Sequence, residues 1–247
     1  MSKSYLCGFH AVDALVNTKP KRISQIWFDP ERSDRRAEKL IESVRAKGIH
    51  MAYKTKKELD EMANGVRHQG VIAECRPISL RPENELEQFL DSITETPLLL
   101  VLDGVTDPHN FGASLRCADG AGVHAVIVPR DKSCGLTPVV HRVASGATQV
   151  LPIFEVKNLV RCLDNLKKNG FWVTGAAEQA STNLYQADFK GPTIVIVGAE
   201  GRGMRRLTEE TCDRLVYIPM RGSVASLNVS VATGILLFEA QRQRSQI

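Results

Sequence analysis

The sequence predicts an α/β fold: a small mixed unit at the amino end, a short acidic connector, and a larger unit on a mostly parallel sheet. Three observations predict it. From Leu98 onward, strand-like and helix-like stretches alternate regularly. The strand-like stretches are nearly all apolar, as in Leu98-Leu99-Leu100-Val101-Leu102, which is how strands covered on both faces read. Polar, glycine-bearing turns follow three of the strands, where an open α/β sheet builds its ligand crevice.

In the first 76 residues, Phe9, Val12, Leu15 and Val16 have helical spacing. Ile23–Phe28 reads as a strand, and Arg35–Gly48 as a helix closed by glycine with Leu40, Ile41 and Val44 on one face. Ile49–Lys54 predicts a second strand, Lys56–Ala63 a short helix and Gly70–Glu74 a third strand. Residues 77–96 combine prolines and acids around an acidic helical piece, Glu85–Ile93, with little to bury; they predict a linker. Over 97–247, strands are predicted at 98–102, 124–128, 150–154, 171–176, 193–198 and 214–219. Helices are predicted at 111–121, 137–146, 157–169, 206–212 and 226–243. The last carries an apolar stripe of Val229, Ala232, Thr233, Leu236, Leu237 and Ala240.

Composition excludes several classes. With 43% apolar and 24% charged residues, the chain reads as an ordinary globular protein. Its longest apolar runs are about half of a membrane span, and Met-Ser-Lys-Ser-Tyr lacks the apolar core of a signal peptide, so a cytoplasmic protein with no membrane partner is expected. Six scattered cysteines at no CxxC spacing read as reduced thiols, and six histidines in no HxxxH or HxH pattern predict no metal site. Net charge is +4 but uneven: residues 1–76 hold 15 Lys+Arg against 10 Asp+Glu, and residues 77–96 hold one against five. A basic first unit permits a nucleic-acid partner without requiring one.

The chemistry is concentrated in the three turns. Asp103–Arg116 (DGVTDPHNFGASLR) is a strand-to-helix connection in which Asn110 reads as the N-cap; capping leaves Arg116 unexplained. The turn Gly198-Ala199-Glu200-Gly201-Arg202-Gly203 superficially resembles G-x-G-x-x-G. It comes late in the chain and opens no long helix at once, which argues against a nicotinamide-dependent oxidoreductase. Its glycines allow close approach of backbone to a ligand, or simply a flexible loop. In Arg221–Ser230, small polar residues start the final helix with Ser226 as the expected N-cap, and amides at such a start favour an anionic ligand.

The three turns, in this order and spacing, resemble the signature motifs of the SpoU-type (TrmH-like) RNA 2'-O-ribose methyltransferases of the SPOUT superfamily. Gly8-Phe9-His10-Ala11-Val12 and His68-Gln69-Gly70-Val71 resemble the family's amino-terminal RNA-binding domain, which is similar to ribosomal protein L30e. The resemblance implies domains at 1–76 and 97–247, the second closed by a carboxyl-terminal trefoil knot. It implies S-adenosylmethionine as methyl donor, lying against Gly198, Ile218, Met220 and Leu227 with Gly175 and Ala176 nearby. It implies Asn110, Arg116, Glu200, Ser226 and Asn228 as the polar catalytic set, with Glu200 orienting Arg116, and Arg202, Arg205, Arg206 and Arg221 as candidates for phosphate contact. Arg116 would be either the base or the group that positions an RNA phosphate, since guanidinium ordinarily stays protonated. The implied partners are 23S rRNA or a ribosomal precursor particle, modified at a guanosine ribose of the peptidyl-transferase P-loop, and a second copy of the chain in a homodimer. The competing expectations are a tRNA methyltransferase of the same family and a non-catalytic RNA-binding or ribosome-assembly protein; the intact Asn110, Arg116 and Glu200 argue against the latter.

Overall fold

The computed structural model describes residues 4–76 and 78–245. The chain folds into two compact units. The amino-terminal residues through Ser79, with His141–Val150, form the first; Leu80–Val140 with the chain from Leu151 onward forms the second.

The first unit contains β1 (Ser4–Cys7), α1 (Phe9–Thr18), β2 (Ile23–Phe28), α2 (Arg35–Ala46), β3 (Met51–Tyr53), α3 (Lys56–Ala63) and β4 (Val71–Cys75). The strands lie in the order β1-β4-β2-β3, with β2 and β3 parallel and the other pairs antiparallel. Strand β1 is an addition to the expected elements, because four residues give no readable period. On one sheet face, Val12, Leu15 and Val16 of α1 and Leu40 and Val44 of α2 bury Ile26, Phe28, Val71 and Ala73. On the other, Leu59 and Ala63 of α3 cover Ile72. Asp34 caps α2 by accepting the amides of Arg36 and Ala37 at 2.9 and 3.1 Å. Helix α3 starts with a capping box: Glu58 accepts the amide and hydroxyl of Thr55, each at 2.8 Å.

The second unit runs β5 (Arg81–Pro82), α4 (Leu86–Asp91), β6 (Leu98–Asp103), α5 (Pro108–Gly120), β7 (Ala125–Pro129), α6 (Pro138–Val143), α7 (Ala147–Val150), β8 (Ile153–Val156), α8 (Leu159–Lys168), β9 (Trp172–Ala176), β10 (Thr182–Asn183), β11 (Thr193–Gly198), α9 (Arg206–Thr211), β12 (Arg214–Tyr217) and α10 (Val229–Arg244). Of these, α7 and the end of α6 belong to the first unit. The helix expected over 137–146 is broken because Ser145 and Gly146 are left-handed, at φ of 50° and 100°. A Cβ at Gly146 would lie 3.0 Å from Ala14 Cβ and 3.2 Å from the His10 carbonyl, so glycine lets this turn close on α1. The helical turn of α7 also displaces the strand expected at 150–154 to Ile153–Val156.

All pairings in the eight-stranded sheet are parallel, in the order β10-β12-β9-β11-β6-β7-β8-β5. Every residue of β6 is buried, as the apolar run predicts for a central strand. Leu159, Leu163 and Leu166 of α8 cover one face with Leu99, Val101, Ile127 and Ile196. Helices α5 and α10 pack together, with Ser114 and Thr233 hydroxyls 3.5 Å apart in the buried seam. The segment read as a linker is partly built into this unit. Leu86 is buried, β5 extends the sheet beside β8, and the Arg81 guanidinium lies 5.3 and 4.8 Å from the Phe89 and Phe154 ring centres.

Two features tie the far end of the sheet. Strand β12 lies between β9 and β10, so the short 177–181 connection joining those two crosses β12. At the end of α10, Arg244 donates to the carbonyls of Phe189 (2.9 Å), Thr96 (2.6 Å), Pro97 (3.1 Å) and Gly191 (2.7 Å), gathering the chain that leads into β6 and β11.

Arg244→Met should lower unfolding stability by about 1–3 kcal/mol in a urea titration, because it leaves the Phe189 carbonyl without a donor, while the Pro97 and Gly191 carbonyls keep those of Thr193. A second expectation concerns acid. Hydrogen bonds from the Thr55 hydroxyl and amide, then Lys54, hold Glu58 at about 2 against an ordinary 4.5. A folded value below the unfolded one stabilises the fold above pH 4.5 and is lost as pH falls toward 2. Wild type should therefore lose more stability over that window than Glu58→Gln, measured by circular dichroism.

Candidate active site

The carboxyl ends of β6, β9, β11 and β12 open on one side of the sheet. There the turns after β11 and β12, with Ala176 at the end of β9, enclose a cavity of about 810 Å³. The first turn, after β6, reaches its rim. Asp107 rather than Asn110 caps α5, its Oδ1 accepting the Asn110 amide at 2.8 Å. The Asn110 side chain is thereby left to bond elsewhere. Arg116, two turns further along α5, is exposed and makes no hydrogen bond or ion pair among the described residues.

The second turn is shaped by glycine. Ala199 and Gly203 exchange backbone hydrogen bonds at 3.0 and 2.8 Å, folding the turn back onto the end of β11. A Cβ at Gly198 would sit 2.0 Å from the Gly203 carbonyl carbon, so this glycine is required by the chain's own return. Gly201 and Gly203 take φ of 74° and 67°. Glu200 and Arg202 stand on this closed turn. Its far side is pinned by Asp103, the last residue of β6, whose side chain is fully buried. Asp103 Oδ2 accepts the Arg205 amide at 2.9 Å, and Oδ1 accepts Nε and Nη2 of Arg205, each at 2.6 Å.

The third turn ends at Asn228, which caps α10 by accepting the Ser230 amide at 3.0 Å and hydroxyl at 2.6 Å. The helix therefore begins at Val229, not at Ser226 as the small polar run suggested. The Asn228 amide nitrogen donates to Asn110 Oδ1 at 2.8 Å and to Glu200 Oε1 at 2.6 Å, and the Val229 amide also reaches Glu200 Oε1 at 3.4 Å. Three segments distant in the chain thus meet at one side chain.

Of the expected residues, Glu200, Ser226, Asn228, Ala176, Gly198, Ile218, Met220 and Leu227 line the cavity. Gly175 does not: it is buried, and a Cβ there would lie 2.6 Å from Met204 Cε and 2.7 Å from Cys212 Sγ, so its role is to admit Met204. Glu200 does not orient Arg116; its bonds go to Asn228 and Val229. Of the four arginines considered for phosphate contact, Arg205 is taken by Asp103 and Arg206 pairs with Glu210 at 2.6 Å. Arg202 and Arg221, both exposed, make no ion pair among the described residues. Sequence reasoning missed the pairing of Asp103 with Arg205. The available signal was a lone carboxylate closing an otherwise apolar strand, which burial obliges to find a donor.

Residues 97–238 match the SpoU rRNA Methylase family, and residues 5–80 match the family described as RNA 2'-O ribose methyltransferase substrate binding. The chain is 53% identical over 240 residues to the 23S rRNA (guanosine-2'-O-)-methyltransferase RlmB of Pseudomonas aeruginosa, covering 97% of this chain and 96% of that protein. It is 52% identical over 248 residues to the RlmB of Ralstonia nicotianae, covering 100% and 99%. Its fold is that of the SpoU methyltransferase AviRb from Streptomyces viridochromogenes, solved with AdoMet (TM-score 0.78, 24% identity, 99% of this chain and 92% of that one). The A. aeolicus TrmH/SpoU tRNA modifying enzyme is 33% identical, with a TM-score of 0.57 over 66% of this chain and 84% of that one. Matched across its catalytic unit and related at half identity along nearly its whole length, the chain belongs to the SpoU rRNA methylase family.

Proposed function

We propose that this protein transfers a methyl group from S-adenosylmethionine to the 2'-hydroxyl of a guanosine in 23S rRNA. The observation that carries the reading is the meeting of Asn110, Glu200 and Asn228 at the rim of the cavity, where Asn110 Oδ1 and Glu200 Oε1 each lie within 2.8 Å of the Asn228 amide nitrogen. Near-full-length identity to relatives named for that reaction supports the substrate. A tRNA substrate has the weaker support, from a similarity limited to 66% of the chain.

The cavity fits the donor. About 810 Å³ is within the range of small-molecule sites, and Ile218, Met220 and Leu227 offer apolar contact beside the glycine-bearing 198–203 backbone. These residues and Ala176 would hold S-adenosylmethionine, which supplies an electrophilic methyl group. The chain's own work is alignment and handling of the hydroxyl proton. Glu200 Oε2, which has no hydrogen bond among the described residues, faces that task with Asn228 holding its other oxygen. Arg116 stays protonated and pairs with the phosphate beside the target ribose. Arg202 and Arg221 add phosphate contacts, so affinity falls with salt. Ser226, exposed at the cavity edge, bonds the substrate.

The first unit supplies RNA docking, in keeping with the substrate-binding match over residues 5–80. Helix α10 supports a homodimer: it packs on α5 and β11, yet Val231 and Phe238 remain about half exposed. A helix apolar on both sides needs a second partner. The crossing of β12 by the 177–181 connection supports the threaded topology of a trefoil knot. Action on ribosomal RNA supports the cytoplasm as the site of work.

Incubated with labelled methyl donor and separated 23S, 16S and tRNA pools, the protein should label 23S rRNA at a ribose of guanosine; label in tRNA alone would overturn the substrate. Arg116→Ala should keep donor affinity by calorimetry while transfer falls about 10²-fold or more, as loss of substrate alignment requires. Val231→Glu with Phe238→Glu should convert a dimer to monomer in light scattering; an unchanged mass would remove α10 from the interface.

A further inference from the structure

The buried Asp103 carboxylate is used by none of the roles above, yet it lies one strand from the catalytic loop. It ends β6 directly opposite Gly198, the residue that ends β11, in the parallel register. Its side chain is fully buried, and both oxygens are spent on one residue, Arg205: Oδ2 on the amide, Oδ1 on the guanidinium. Holding main chain and side chain together fixes both the position and the direction of the backbone at 205. Residues 199 and 203 are already locked to each other by two backbone bonds. Two attachments, at Gly198 on β11 and at Arg205 on β6, therefore span the segment that carries Glu200.

We infer that Asp103 is the positioning residue for Glu200, setting through Arg205 the height of the 199–205 loop above the sheet and hence the reach of Glu200 to Asn228. The Arg205 side chain is 42% exposed while its partner is fully buried, so the pair is anchored from the sheet side and the loop side is free to follow. Gly201 and Gly203 bracket Arg202 with left-handed backbone, and nothing else among the described residues bonds the side chain of Arg202. Without the Asp103 attachment the turn keeps its internal bonds and the buried Met204 side chain, but loses the bonds that hold its 205 end on β6. The consequence for catalysis rests on the methyltransferase reading; the consequence for the loop does not.

The test uses the full chain as Asp103→Asn, which keeps the shape and removes the charge, and as Arg205→Lys, whose partly exposed side chain makes it safe for folding. Each is combined with Glu200→Gln. Methyl transfer to 23S rRNA should fall in kcat by about 10- to 100-fold for Asp103→Asn, as a displacement of about 1 Å would give, and by less for Arg205→Lys. Because the effect passes through Glu200, the double variants should be no slower than Glu200→Gln alone. Factors that multiply would overturn the assignment and leave Asp103 a stabiliser of the fold. In parallel, trypsin cleavage after Arg202 should quicken at least several-fold in both single variants while thermal unfolding stays cooperative; an unchanged cleavage rate also overturns it. If wild type methylates no RNA, the functional reading falls, and the cleavage rates alone decide whether Asp103 holds the loop.

Discussion

One primary amide organises the site. The Asn228 side chain has two N–H groups and one carbonyl, and all of them are engaged. The donors go to Asn110 and Glu200, and the acceptor starts α10. A side chain that must satisfy a helix start and two other loops at once has almost no rotational freedom left. The bonds lie at the exposed rim, so each is worth only about 1 kcal/mol. Their importance is geometric: they define where a carboxylate and an amide stand relative to the cavity. The parallel sheet makes this possible, since parallel pairing puts the ends of β6, β11 and β12 on one side.

Helix α10 transmits that order through the unit because it is tied at both ends. Its start belongs to the Asn228 network, while Gln243 accepts the Phe189 amide at 3.0 Å and Arg244 collects carbonyls leading into β6 and β11. The two buried strands that deliver Asp103 and Gly198 to the site are thus held at their beginnings by the helix whose capping residue, Asn228, completes the site. A helix stitched in this way cannot slide without disturbing the geometry of the site, and buried polar bonding near its last turn, such as Gln243 Nε2 donating to Glu239 Oε1 at 2.8 Å, adds to that hold.

The larger fold was legible because apolar strands and polar turns alternate so plainly after Leu98. The amino-terminal helices were legible from their periodicity. The site residues were legible as types at turns, but their bonds were not. Asn110 and Ser226 looked like caps, and both jobs went to neighbours, Asp107 and Asn228, since any Asx or Ser near a helix start competes for the same amides. Glu200 was expected beside Arg116 from the family resemblance; the turn instead aims it at an amide. Strands β5 and β10, two residues each, have no period to read, and α7 is fixed by contact with α1, more than 100 residues away in sequence. The Asp103 pair belongs to the same class: burial created by the register of distant strands, invisible in any window of sequence.

The position of β12 also governs the order in which the molecule can be made. During synthesis β9 and β10 emerge before β11 and β12, yet they cannot settle into their final spacing until β12 comes between them. Residues 177–181 must stay open as an arch until the ribosome has released residue 217 and enough chain beyond it. The central strands can pair early, but the cavity closes only once β12 and the start of α10 have both been made. A chain interrupted before β12 keeps the strands that deliver Asp103 and Gly198 yet lacks Asn228, and with it the bonds that join Asn110 to Glu200.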